Sequence, residues 1–242
     1  CNTEESRDKE RMYFDVLAQK RIDGLIIAPA GGNDDAIKDM IAHGLPVVCV
    51  DREFVGVEAD TIVVDNHSAA KTIVRHLIAL GHRRIAVLRA RLRANSIDDR
   101  VNGYLEALAE SGLRAEAGDI AESASDVDDA CRIAIEILHS DRRPDAIFCT
   151  NNFMTLGAMR AISEMELRCP ADIAVAGIDD LPWTAGFRPR LTVIAQPGRA
   201  MGREAARLLL DRIAKRRTDA PVRWVLPTEL RVRESCGVNN RR

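Results

Sequence analysis

Polar side chains able to hold a small ligand recur just after short apolar runs in this chain. Asp51 and Arg52 follow LPVVCV, Asn151 and Asn152 follow AIFCT, and Asp179 and Asp180 follow IAVAGI. Ser96 and Arg100 stand one helical turn apart in NSIDDR, beyond the run that ends at Leu88. Carboxylates, an amide, a hydroxyl and a guanidinium together offer acceptors and donors in fixed directions, which suits a hydroxyl-rich or amide-rich small molecule. The competing readings are local: an Asp or Asn after a strand also serves as the N-cap of the next helix, and Arg52 and Asp180 also read as solvated loop charges.

Catalytic chemistry finds no foothold. The chain lacks a G-x-S-x-G elbow, a G-K-[ST] phosphate loop, a G-x-G-x-x-G turn and an H-E-x-x-H helix. His76 and His82 have no third ligand in spacing and read as structural, so neither a metal nor a cofactor is expected. The stretch APAGGNDD, residues 28–35, is glycine-rich and precedes a helix. It fits an anion cradle or a tight turn capped by Asn33 or Asp34.

The elements that must position these groups alternate. Short β-branched runs at residues 23–28, 46–50, 61–64, 84–88, 145–149 and 172–178 read as buried parallel strands. Between them lie segments of helical period, such as Ala70, Ile73, Val74 and Leu77, or Val101, Tyr104, Leu105 and Leu108. Strand and helix alternating this often predict a doubly wound α/β architecture. In such sheets ligands gather at the carboxyl ends of the strands, where all the singled-out groups fall. The spacing also predicts a helix over residues 4–20 with almost no strand before it, so the first strand and helix of the sheet are expected to be missing. Residues 1–64 should then be loosely packed, because neighbouring strands would be left with unpaired backbone groups.

With 242 residues, 46% of them apolar, the chain can bury a substantial core. Its 37 acidic and 35 basic residues leave a formal charge of -2, which advertises neither nucleic acid nor membrane. No apolar run reaches the ~20 residues of a membrane span. Six cysteines without C-x-x-C spacing fit reduced thiols in a cytoplasmic protein. A lipoprotein beginning at Cys1 would need a flexible tether where a helix begins instead. The arginines between Arg203 and Arg217 alternate with Met201, Ala205, Leu208 and Leu209 and read as an exposed helix face.

Seven stretches in order, GLPVVCVDRE, TIVVDNHSAAKTIVRHLIALGHRRIAVL, SIDDRVNGYLEAL, NNFMTLGAMRAI, CPADIAVAGIDDLPW, PRLTVIAQPGRAMGREAARLLL and LPTELRVRESCG, resemble the effector-binding core of LacI/GalR transcriptional repressors. The resemblance covers residues 2–237. It implies a periplasmic-binding-protein-like fold, with two α/β lobes joined by three crossover strands near residues 64–66, 195–196 and 225–228, and a homodimer. One lobe would hold residues 1–64 plus 197–225, the other 66–194 plus 227–237. It further implies an effector in the cleft between lobes, contacted by Asp51, Ser96, Arg100, Asn151, Asp179 and Gln196. Asn151 would be the amide that meets the effector, and Asn152 the helix cap.

Two departures bear on the ligand. Where the family has glycine after the strand ending at Leu88, this chain reads RARLRANS, and no Phe, Trp or Tyr occurs in residues 105–147. Phe153 or Trp183 would then have to supply a stacking face. The helix-turn-helix with which family repressors read operator DNA is absent from these residues. The expected function is therefore the sensor of a regulator whose attached heads bind DNA, with a small effector such as a sugar or a nucleobase as its ligand. The alternative is a solute-binding protein of a sugar importer, which shares the fold and closes by hinge motion.

Overall fold

The computed structural model describes residues 1–91 and 94–237. In chain order the elements are α1 (Arg7–Gln19), β1 (Leu25–Ile27), α2 (Asp34–Ala42), β2 (Val47–Val50), β3 (Asp60–Val64), α3 (Asn66–Ala79), β4 (Ile85–Ala90) and α4 (Asn95–Glu110). There follow β5 (Ile120–Ser123), α5 (Val127–His139), β6 (Ala146–Cys149), α6 (Asn152–Glu164), β7 (Ala174–Ile178), β8 (Thr192–Ala195), α7 (Gly198–Ile213), β9 (Arg223–Leu226) and β10 (Glu229–Arg231). The chain divides into two compact units. The first holds Cys1–Asp65 and Pro197–Pro227 with a short segment ending at Ser96. The second holds Asn66–Arg91, Ile97–Gln196 and the chain from Thr228 onward.

The first unit is a parallel sheet in the order β1, β2, β3, β9. Successive side chains of a strand point to opposite faces, and β2 shows it. Val47 and Cys49 pack with Phe14, Ala36 and Ile37 of α1 and α2, whereas Val48 packs with Met201, Ala205 and Leu208 of α7. A continuous apolar run is what burial on both faces requires. β1 is the outer strand, and its Ile26 is 40% exposed.

Three local expectations change here. The first helix starts at Arg7, because Ser6 accepts the Lys9 amide and Glu4 and Glu5 take φ of 50° and 57°. Asn33 occupies the cap position of α2 without a side-chain cap bond; its Nδ2 instead donates to Glu10 Oε2 at 2.8 Å and to the Arg7 carbonyl at 2.9 Å. Glu10 is buried, and its other oxygen accepts the Ala30 amide, so α1 and the glycine-rich loop are tied by one carboxylate. The arginine face of α7 has an exception too. Arg203 and Arg207 are exposed, but Arg212 turns inward to the buried Asp60, at 2.7 and 3.0 Å.

The second unit is a six-stranded sheet in the order β10, β8, β7, β6, β4, β5, parallel except for β10 against β8. One face buries Ile85, Val87, Ala146 and Phe148 with Ile73, Leu77, Tyr104 and Leu108 of α3 and α4. The opposite face meets α6 closely, since a Cβ at Gly177 would lie 2.4 Å from Thr155 Oγ1. Gly157 does the same for α6 against α5, where a Cβ would come within 2.4 Å of that of Ala130. Substitution at Gly157 must displace a helix, and at Gly177 it must turn the Thr155 hydroxyl aside.

Candidate functional site

The register of the second sheet brings the singled-out residues to one edge. Leu88 pairs with Cys149, Cys149 with Gly177 and Gly177 with Val193, so the chain leaves β4, β6, β7 and β8 on the same side. Asn151, Asp179 and Gln196 follow three adjacent strand ends. Phe153, in the first turn of α6, and Trp183, in the 3-10 helix Pro182–Ala185, come from the segments that follow two of them.

Asp179 and Gln196 are joined directly. Gln196 Nε2 donates to Asp179 Oδ1 at 2.7 Å. Asp179 holds φ of 80°, a left-handed conformation that Asp tolerates better than most residues, and its amide donates to the Ile194 carbonyl at 2.9 Å. Gln196 Oε1 is buried with no hydrogen-bond partner among the described residues, which leaves an acceptor for a ligand hydroxyl.

Asn151, not Asn152, is the helix cap. Its backbone is extended and its Oδ1 accepts the Met154 amide at 3.0 Å, while Asn152 Oδ1 accepts only from the next residue, Phe153. The amide at the strand end has both an acceptor and a donor group, and capping engages the acceptor. The donor Nδ2 is the part suited to a ligand oxygen. The cap expected of Asn152 thus falls on Asn151.

Arg100 is buried at 3% exposure on α4, with Nε donating to Asn66 Oδ1 at 2.8 Å and Nη1 to the Thr150 carbonyl at 2.7 Å. A residue with two such partners is part of the scaffold, and a readily removed surface cation it is not. Ser96, one turn earlier, is buried as well. Thr150 and Asn66 therefore form one buried hydrogen-bonded cluster with Arg100, and nothing in their types or spacing marked them. Thr150 Oγ1 also accepts the Ala90 amide at 3.2 Å, linking the ends of β4 and β6.

Arg52 and Asp180 are not solvated loop charges. Arg52 reaches Glu5 Oε1 at 2.5 Å and the Pro29 carbonyl at 3.3 Å, and lies 3.5 Å from Asp51, whose φ is 66°. Asp51 stands at the carboxyl end of β2 in the first unit. Asp180 accepts from Thr184, Arg233 and Arg231. Burial opposes its charge, but those three donors outweigh it and hold the carboxyl at about 2.

Among the described residues no cluster of His, Cys, Asp or Glu could hold a metal. His76 Nε2 contacts Cys236 Sγ at 3.3 Å and His82 Nε2 the Cys236 carbonyl at 3.0 Å, so both histidines anchor the chain after β10. No helix among the described residues is long and apolar enough to cross a membrane.

A family model described as a periplasmic binding protein-like domain matches residues 74–236. The chain belongs to the periplasmic-binding-protein-like family. Within it, it is a LacI/GalR effector-binding core. It is 33% identical to the HTH-type transcriptional repressor PurR of Vibrio atlanticus (strain LGP32), over 88% of this chain and 64% of that protein. With the PurR repressor of Vibrio vulnificus (strain CMCP6) it shares 32% over 97% of this chain and 70% of that one. Among solved structures, a transcriptional regulator CelR-cellobiose complex superposes with a TM-score of 0.86 at 32% identity, covering 95% of this chain and 71% of that one. A putative ribose operon repressor from Burkholderia thailandensis gives 0.84 at 31%, covering 95% and 85%. The LacI/GalR core thus spans under two thirds of the length of several curated relatives, and those relatives are named as repressors, which favours the regulator over the importer.

Proposed function

We propose that this chain is the ligand-sensing core of a bacterial transcriptional repressor and not an enzyme. It binds a small polar effector, a sugar or related metabolite, and controls operator DNA through an attached helix-turn-helix. It works in the cytoplasm as a homodimer. The effector favours one arrangement of the core, and the DNA-binding heads follow by linkage.

The observation that carries this reading is the convergence of Asn151, Asp179 and Gln196 on adjacent strand ends of one sheet, with a buried acceptor on Gln196 left for a hydroxyl donor. Arg100, Phe153 and Trp183 complete the proposed contacts of the second unit, and Asp51 and Ser96 are the proposed contacts of the first. The relative solved with cellobiose and the relative named for a ribose operon support a saccharide class. Calorimetric titration with a panel of mono- and disaccharides and purine bases tests the proposal. One member should bind with a Kd below about 1 mM, and Asp179→Ala should abolish it. A panel without any binder, or a product that accumulates in proportion to protein when the binder is followed by NMR, would overturn the reading.

A further inference from the structure

Asp180 follows Asp179 directly, and its carboxylate joins two other segments of the chain, the 3-10 helix Pro182–Ala185 and the stretch ending β10. Its side chain is 8% exposed. Thr184 Oγ1, from the 3-10 helix that carries Trp183, donates to Oδ1 at 2.5 Å. Arg233, beyond β10, places Nη2 2.9 Å from Oδ2 and Nη1 2.9 Å from Oδ1, a two-pronged grip. Arg231 adds a second ion pair from β10 itself. Arg233 also donates to the Leu191 carbonyl at 2.9 Å and to Thr184 Oγ1 at 3.2 Å, so the guanidinium is locked on both sides.

The arrangement fixes two things at once. Asp179 is held in a left-handed conformation between β7 and the residue that Arg233 grips, so its carboxylate has little freedom to leave Gln196. Trp183 is adjacent to Thr184, which is fully buried and pinned to Asp180, and the indole lies edge-on to Phe187 at 5.7 Å. A loop ring without such an anchor would swing between rotamers.

We infer that Asp180 and Arg233 form a positioning clamp for the effector site, setting the direction of the Asp179 carboxylate and the place of the Trp183 ring, without either clamp residue touching the ligand. The inference rests on the proposed function for the meaning of the site, but the clamp itself can be tested without any effector. Asp180→Asn keeps the shape of the side chain and the bond from Thr184, while turning an amide donor toward guanidinium donors. Arg233→Met removes the grip from the other side. Arg231→Ala, which removes the more exposed partner, is the control.

In a Trp224→Phe background Trp183 is the sole indole, and its acrylamide quenching is measured well below the melting temperature. The quenching constant should rise about twofold or more in Asp180→Asn and in Arg233→Met and stay near the parent value in Arg231→Ala, as expected when a held loop is released. A purely stabilising role would lower the melting temperature and leave the folded-state quenching unchanged, and that result overturns the inference. Where a saccharide from the panel binds the parent protein, Asp180→Asn should weaken it about tenfold, and equal affinity would count against the clamp. If no saccharide binds the parent, that failure belongs to the proposed function, and the quenching result still decides the clamp.

Discussion

The Arg100 guanidinium donates to the Thr150 carbonyl at 2.7 Å, so a buried cation grips the residue immediately ahead of Asn151. Its second bond, to Asn66 Oδ1, ties the start of α3 to the same point. Arg100→Ala strands both acceptors inside the protein. A stranded buried acceptor costs about 1–3 kcal/mol, so the variant should lose roughly 2–5 kcal/mol of unfolding free energy. Urea denaturation followed by circular dichroism measures it, and a loss under about 0.5 kcal/mol would mean that water replaces the guanidinium.

Asn151 caps α6 and is the proposed effector amide, and substitution can separate the two. Asn151→Asp keeps an oxygen for the Met154 amide but replaces the Nδ2 donor with an acceptor. The expected result is near-parental stability with effector affinity down about tenfold. Asn151→Ala should lose the cap as well, at about 1 kcal/mol. Parallel melting curves and titrations of the two variants distinguish them, and equal affinity in Asn151→Asp would remove the amide from the site.

Acid should weaken the second unit through Asp180. Its folded pKa of about 2 lies below the unfolded value near ~3.9. Such a group contributes stability that is fully present above the unfolded value and lost as pH falls toward the folded one. The window is therefore about pH 4 down to about pH 2. Urea midpoints recorded across that window should fall more steeply for the parent protein than for Asp180→Asn. Identical slopes would show that other carboxylates govern the acid response.

Thiol chemistry should discriminate among the cysteines. Burial pushes Cys49, Cys149 and Cys169 up to about 12, far from the thiolate form at neutral pH, whereas Cys1 is exposed. A disulfide reagent at pH 7.5 should modify Cys1 rapidly in the folded protein and reach those three only after urea is added. Fast modification of Cys149 in the folded state would indicate that the β6 end opens readily.

Much of the architecture was legible because parallel strands buried on both faces announce themselves as β-branched runs. The expected runs at 46–50, 145–149 and 172–178 contain β2, β6 and β7. β5 escaped notice because an edge strand with the sequence IAES buries only Ser123 completely. β9 was reached only through the resemblance, as a crossover strand near residues 225–228, because its apolar stretch is short and Arg223 and Val225 are exposed. At the site, strand-end position was enough to single out Asn151 and Asp179, but residue type could not say which asparagine caps α6. That depends on backbone angles, and both side chains are equally able to accept an amide. The same ambiguity hid the internal partners of Arg100, since a guanidinium aimed at a ligand and one aimed at a carbonyl have the same spacing in the chain.

The pairing of β3 with β9 joins Val63 to Val225 across all of the second unit's sequence that precedes Thr228. During synthesis the ribosome releases residues 1–65 early, yet the fourth strand of their sheet and the α7 helix that covers one face emerge only after the second unit's sheet is nearly complete. Contacts so far apart in sequence form slowly, because a long loop must close before they are rewarded. Until those elements emerge, Val48, Ile62 and Val64 lack the α7 and β9 residues that cover them in the folded unit. Both sheets thus receive their last strand, β9 and β10 respectively, from the same late stretch of chain.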